Sequence, residues 1–206
     1  MKCKIKIPRE ALESSCMPKS FWELGNDTYP FSNQSLKTIK IFNAKILEAC
    51  RVGAILTLYG EGYTGKTYLA TLPMKFAILE GLTTRYTTMT EMFELYMSRN
   101  DFGATVLSPD LLVIDDILMV KHDGYSRCLG TVIRSRTDAG KSTLMCVEID
   151  GSKQRGTSKP TLKWLDEYRV CMGAKYDKFS KEVYCEASVR TKITQKSGAE
   201  RIFGDA

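Results

Sequence analysis

Ala54-Ile55-Leu56-Thr57-Leu58-Tyr59 runs without a break into Gly60-Glu61-Gly62-Tyr63-Thr64-Gly65-Lys66-Thr67, and a helix-forming stretch follows from Thr67 to Glu80. An apolar hexad bounded by glycine reads as a buried strand, and the segment after it satisfies G-x-x-x-x-G-K-[ST] in full. Between a strand and a helix, such a loop turns its backbone N–H groups and the positive end of the helix onto a phosphate. Lys66 is then placed to neutralise the β- and γ-phosphates of a nucleoside triphosphate, and Thr67 to offer its hydroxyl to Mg²⁺. Pro73 falls inside the helical stretch and should bend or shorten it.

The remaining pattern extends this unit in both directions. Ser35 to Val52 is amphipathic at helical spacing, with Leu36, Ile39, Ile41, Phe42, Ile46 and Leu47 apolar. Thr84 to Thr88 predicts a second strand. Thr88 and Glu91 have the spacing of a capping box for a helix carrying Met92, Phe93, Tyr96 and Met97. Leu111 to Ile114 is a continuous apolar run, as a parallel strand buried on both faces requires, and it ends in Asp115-Asp116. Tyr125 to Arg136 suits a helix burying Cys128, Leu129, Val132 and Ile133. Thr143 to Ile149 predicts a further strand, and Thr161 to Met172 a helix. Alternation of this kind specifies an α/β fold of the P-loop NTPase type, a parallel sheet with helices on both faces. Ligands of such sheets lie at the carboxyl ends of the strands, which brings the aspartate pair beside the phosphate loop. Asp115 is then the magnesium-side carboxylate, and Asp116 the group that polarises an attacking water.

Composition narrows the setting. With 206 residues, 43% of them hydrophobic, the chain can bury the core of one globular domain. It holds no apolar run of about 18 residues, so no spanning helix is expected. Met1 to Pro8 is basic but lacks the apolar stretch of a signal peptide. Seven cysteines are scattered without a C-x-x-C pair and His122 is the one histidine, which argues against zinc and against a disulfide framework. A reduced, cytoplasmic compartment is expected. The net charge is +6, and from Gly151 to Ala206 there are 12 Lys/Arg against 7 Asp/Glu, so most of the excess lies in the last quarter. A basic flank of that size can meet nucleic-acid phosphates, or be a solvated surface. Ala174-Lys175-Tyr176-Asp177 lacks the asparagine of a guanine-reading motif. Phe21, Trp22 and Phe31 could stack on bases, although aromatics in such a place more often pack on the core.

From about Met17 to Lys192, the order of these blocks resembles the bacterial helicase-loader ATPases of the DnaC type, within the AAA+ class; the IstB transposition helpers are similar. Met17-Pro18-Lys19-Ser20-Phe21 looks like the segment leading into the family's core. AILTLYGEGYTGKTYLA (54–70) looks like its strand, phosphate loop and helix, and GLTTRYTTMTEMFELY (81–96) like its second strand and following helix. DLLVIDDI (110–117) is similar to its paired-aspartate motif, and VIRSRTDAGKSTLM (132–145) resembles the helix, arginine and strand leading to sensor 1. The resemblance implies an ATPase using ATP and Mg²⁺ that forms a nucleotide-dependent homo-oligomer on single-stranded DNA, on the replicative helicase, or on both, with no membrane partner. It also implies that Arg190 is the sensor 2 arginine and Arg169 the finger supplied to a neighbouring subunit. Tyr63 stands where glycine is common. Glu148 stands where a polar sensor 1 asparagine is usual, which implies slow hydrolysis. Residues 1–16 form a short N-terminal extension and 17–206 the ATPase domain with its basic C-terminal part, so a dedicated helicase-binding domain is expected to be absent or reduced. Two other functions remain open: an IstB-like helper on duplex DNA, and a small-molecule or nucleotide kinase, for whose arginine-bearing lid Arg134 and Arg136 could be mistaken, although the paired aspartates with Arg169 and Arg190 fit an oligomeric ATPase better.

Overall fold

The computed structural model describes residues 7–23, 33–118, 123–148 and 180–184. The apolar hexad forms β1 (Ile55–Gly60), followed by β2 (Thr84–Thr88), β3 (Leu111–Leu118), β4 (Ser142–Glu148) and β5 (Ser180–Tyr184). They make one sheet in the order β2-β3-β4-β1-β5, with every neighbouring pair parallel. The helices are α1 (Arg9–Ser14), α2 (Asn33–Ala44), α3 (Ile46–Val52), α4 (Lys66–Leu79), α5 (Met89–Ser98) and α6 (Asp123–Asp138). No described helix is long and apolar enough to cross a membrane.

Alternation along each strand divides the core in two. Leu56 and Leu58 of β1, Leu111 and Val113 of β3, and Leu144 and Cys146 of β4 face one side, where they pack with Leu69, Leu72 and Met74 of α4 and Ile39 of α2. Ile55, Leu112, Ile114, Met145 and Val147 face the other, against Met92 of α5 and Cys128, Leu129, Val132 and Ile133 of α6. Both faces of the sheet are therefore covered, as the unbroken apolar runs predict. Leu12 of α1 and Met17 belong to the first of these clusters. The N-terminal residues from Leu12 onward thus contribute to the core.

Several local expectations change. The single helix expected over Ser35–Val52 is two, because Lys45 adopts φ −117°, ψ 23° and interrupts it; α3 then buries Ile46, Ala49 and Cys50. Helix α4 runs through Pro73 without shortening. Ten of its residues are buried, and that packing outweighs the ~3 kcal/mol that an interior proline costs. The capping box forms as the spacing predicts: Thr88 Oγ1 accepts from the Glu91 N–H at 3.2 Å, and Glu91 Oε2 from the Thr88 N–H at 3.0 Å. Strand β3 continues through the aspartate pair to Leu118. The helix expected over Thr161–Met172 lies outside the described residues, as do Phe31 and His122.

Candidate nucleotide-binding site

The phosphate loop leaves the carboxyl end of β1 and enters α4 through Gly65, whose φ of 82° is the left-handed value that glycine adopts without strain. Lys66 is buried and folded back along its own loop. Its ammonium donates to the carbonyls of Gly60 (3.0 Å) and Glu61 (2.6 Å), and Thr64 Oγ1 donates to the Glu61 carbonyl at 2.9 Å. These bonds brace the turn and hold the positive charge at its centre. Tyr63, at φ 60°, is 83% exposed. The loop walls a cleft of about 300 Å³ whose lining comprises Tyr63 to Thr67 on one side and Asp115, Asp116, Cys146 and Glu148 on the other.

Those last four residues arrive by strand register. Asp115 continues the Leu111–Val113 face of β3, and Glu148 the Leu144–Cys146 face of β4, so both point to the side on which α4 begins. Glu148 lies opposite Gly60 across the parallel ladder. A Cβ on Gly62 would meet Glu148 Oε1 at 3.0 Å, so the loop lies close against this carboxylate and a side chain there would push it back. Asp116 sits on a bulge. Ile114 pairs with Met145 and Ile117 with Val147, leaving one extra residue on β3, and Asp116 takes φ 54° to accommodate it. The bulge turns a residue that simple alternation would send to the other face into the cleft lining.

Asp115 is 3% exposed, and both of its oxygens are engaged: Oδ1 accepts from the Asp116 N–H at 2.8 Å, and Oδ2 from the Tyr86 hydroxyl at 2.6 Å. Burial, reinforced by the neighbouring Asp115 charge and the hydrogen bond to it, pushes the Tyr86 phenol far up, so it stays a donor. Burial raises the Asp116 carboxyl above its ordinary value, and the nearby charges of Asp115 and Glu148 add to this. A carboxylate shifted in that direction is a better proton acceptor than a free one. Thr67, Asp115, Asp116 and Glu148 offer hard oxygen donors, the set that Mg²⁺ prefers. Among the described residues no cluster of three His, Cys, Asp or Glu could hold a metal by itself. The donors therefore fit Mg²⁺ carried in with phosphate oxygens rather than a closed protein cage.

The structure thus brings the predicted loop, Asp115 and Asp116 together around one cleft. Arg169 and Arg190 lie outside the described residues. Arg136 is elsewhere and does something else. It is fully buried at the amino ends of β3 and β4, the edge of the sheet opposite the cleft, where it donates to Thr143 Oγ1 (3.0 Å) and the carbonyls of Val106 (2.9 Å), Pro109 (2.9 Å) and Ser142. As a lid over phosphates it is misplaced. Nothing in the sequence singles out Tyr86 or Cys146. The available signal was the alternation of β2, which puts Tyr86 opposite Val113 and on the face of Asp115.

No family description matches the sequence, and no curated protein does. Solved structures do match. The crystal structure of the DnaC helicase loader aligns with a TM-score of 0.63 at 22% identity, over 82% of this chain and all (100%) of that one. The chain has the P-loop AAA+ fold. DnaI aligns with a TM-score of 0.57 at 15% identity, over 87% of this chain and 92% of that one. The replication initiator DnaA bound to AMPPCP and single-stranded DNA aligns at 0.57 and 16% identity, over 88% of this chain and 55% of its own. These replication proteins share the architecture on which the cleft is built.

Proposed function

We propose that this chain is an ATP-binding AAA+ protein of DNA replication, a helicase loader of the DnaC type that assembles on single-stranded DNA or on the replicative helicase. What carries the proposal is a complete phosphate loop facing a buried aspartate at the carboxyl end of β3, one strand removed from β1 across β4, in a chain that aligns with the whole of a DnaC structure. Residues 60–67 hold the triphosphate, with Lys66 against the β- and γ-phosphates. Thr67 and Asp115 hold Mg²⁺, which when bound offsets negative charge on the phosphate oxygens. Asp116 takes a hydrogen bond from the attacking water and polarises it. Arg190 senses the γ-phosphate, and Arg169 reaches the nucleotide of a neighbouring subunit, so that each site is completed only in an oligomer. The basic last quarter meets DNA phosphate.

The test is binding of a fluorescent ATP analogue and ATP hydrolysis, each with and without single-stranded DNA, together with size analysis with and without ATP. Expected are nucleotide binding and a nucleotide-dependent oligomer. Failure to bind any nucleotide would sink the proposal, and a monomer under all conditions would remove the shared site.

A second reading, favoured by Glu148, is a switch that binds ATP and turns it over slowly. A carboxylate packed against Gly62 faces the phosphates and repels a third one. Glu148→Asn should then raise the hydrolysis rate; an unchanged or lower rate counts against the switch.

A further inference from the structure

We propose that Tyr86 is a positioning residue of this site: its hydroxyl fixes Asp115 in the orientation that serves Mg²⁺, an inference that rests on the proposed function. The hydroxyl is what needs an explanation. The Tyr86 ring packs against the core cluster of α4, β1 and β3, and phenylalanine would fill that volume equally well. The hydroxyl instead lies 2.6 Å from Asp115 Oδ2, the length of an O–H donor on an ionised oxygen. A carboxylate has about four lone-pair sites. At Asp115 the Asp116 N–H takes one on Oδ1 and Tyr86 one on Oδ2, leaving each oxygen a further site for the cleft.

The donor is anchored at both ends. In the parallel ladder Tyr86 stands opposite Val113, so its side chain leans two residues along β3 to reach Asp115 on the same face. Its backbone N–H donates to the Ser15 carbonyl at 2.8 Å, which ties the outer edge of β2 to the N-terminal segment. Ser15 is itself buried, its hydroxyl donating to the Leu12 carbonyl at 2.7 Å. A chain of contacts thus runs from the N-terminal segment through a ring held in the core to one oxygen of the magnesium-side aspartate. Removing a donor behind a metal-side group of this kind typically weakens metal affinity tenfold or more.

The experiment is titration of Mg²⁺ into the full chain with a fluorescent ATP analogue, read as analogue binding for wild type and Tyr86→Phe. The Mg²⁺ concentration at half-saturation is expected to rise about tenfold, while affinity for the same analogue in EDTA, where Asp115 has no metal to serve, stays the same. In an Asp115→Asn background Tyr86→Phe should have no further effect on the Mg²⁺ dependence, which separates a lost orientation from general loosening. A wild type that binds the analogue with a Tyr86→Phe half-saturation unchanged or lower overturns the inference and leaves the proposed function standing. Equal weakening with Mg²⁺ and in EDTA overturns it too, because the tyrosine would then merely support the loop. A wild type that binds no analogue brings down the proposed function, and the inference with it.

Discussion

Replacing Arg136 with methionine is the sharpest test of how the sheet edge is held. Methionine keeps an unbranched apolar stem but carries no donor. In the native chain the guanidinium, 0% exposed, donates through Nε to Thr143, through Nη1 to the carbonyls of Val106, Leu107 and Pro109, and through Nη2 to those of Asp110 and Ser142. Burial pushes its pKa down to about 10, so it remains charged at neutral pH. Hydrogen bonds from a charged donor contribute ~1.5–3 kcal/mol each, but the turn can open to water in the variant and the native guanidinium has itself been desolvated. Net, we expect a loss of ~4 kcal/mol, a large share of the 5–15 kcal/mol typical of a domain.

In urea, with a slope of ~2 kcal/mol/M, the midpoint should fall by ~2 M at unchanged slope. Arg134→Met, two positions back on the exposed face of α6, should stay within ~0.5 kcal/mol of wild type. A loss below ~1 kcal/mol for Arg136→Met would refute the idea that this side chain holds the turn before β3. Because Arg136 lies at the sheet edge opposite the cleft, the folded variant should also bind Mg-nucleotide as wild type does. A phosphate lid would not survive that change.

Other perturbations are simpler. Thr88→Ala removes the side-chain half of the capping box and should cost ~1 kcal/mol by chemical denaturation. Asp116→Asn should stabilise the protein at neutral pH: the folded pKa is raised, so the native state disfavours the charged form, and the penalty is full above the folded pKa. The gain should shrink on acidification and vanish below the ordinary carboxyl value of 3.8, which paired melts across pH would record. Tyr63→Gly relieves a left-handed φ of 60° at an exposed position and should raise stability by roughly 0.5–1 kcal/mol with the analogue still bound.

What the sequence discloses, it discloses locally. The phosphate loop is contiguous, so its glycines, Lys66 and Thr67 can be read in a line. Asp115 follows from alternation along a strand whose apolar run is unmistakable. The bulge at Asp116 leaves no such trace, because its left-handed φ belongs to no glycine. Tyr86 and Asp115 are 29 residues apart and meet only through the β2–β3 register. Arg136 looks like a polar residue near the end of a helix until the segment 106–110 closes over it. Strand β5, Ser180–Tyr184, is short and half polar, and it declares itself only by pairing with β1. At the site, the residues missed are set by contacts between distant segments or by the bulge, and those found are patterns within one segment; the break at Lys45 is a local miss.

The same register explains an unusual charge balance. Asp115, Asp116 and Glu148 line a cleft in which Lys66 is the one lysine or arginine among the described lining residues. Burial raises the Asp116 carboxyl, and the crowding adds to it through the Asp115 and Glu148 charges. A bare triphosphate would bring further negative charge to a surface already dominated by carboxyl groups, and the loop N–H groups and Lys66 would have to hold it against that repulsion. With a divalent cation between, the carboxyl groups change from repellers to partners. On the proposed function, Glu148 would then shift nucleotide binding toward dependence on the metal rather than weaken it. On that same proposal, Mg²⁺ would make the triphosphate and the carboxyl groups compatible in this cleft, and the Tyr86 hydroxyl would hold the carboxylate that meets it.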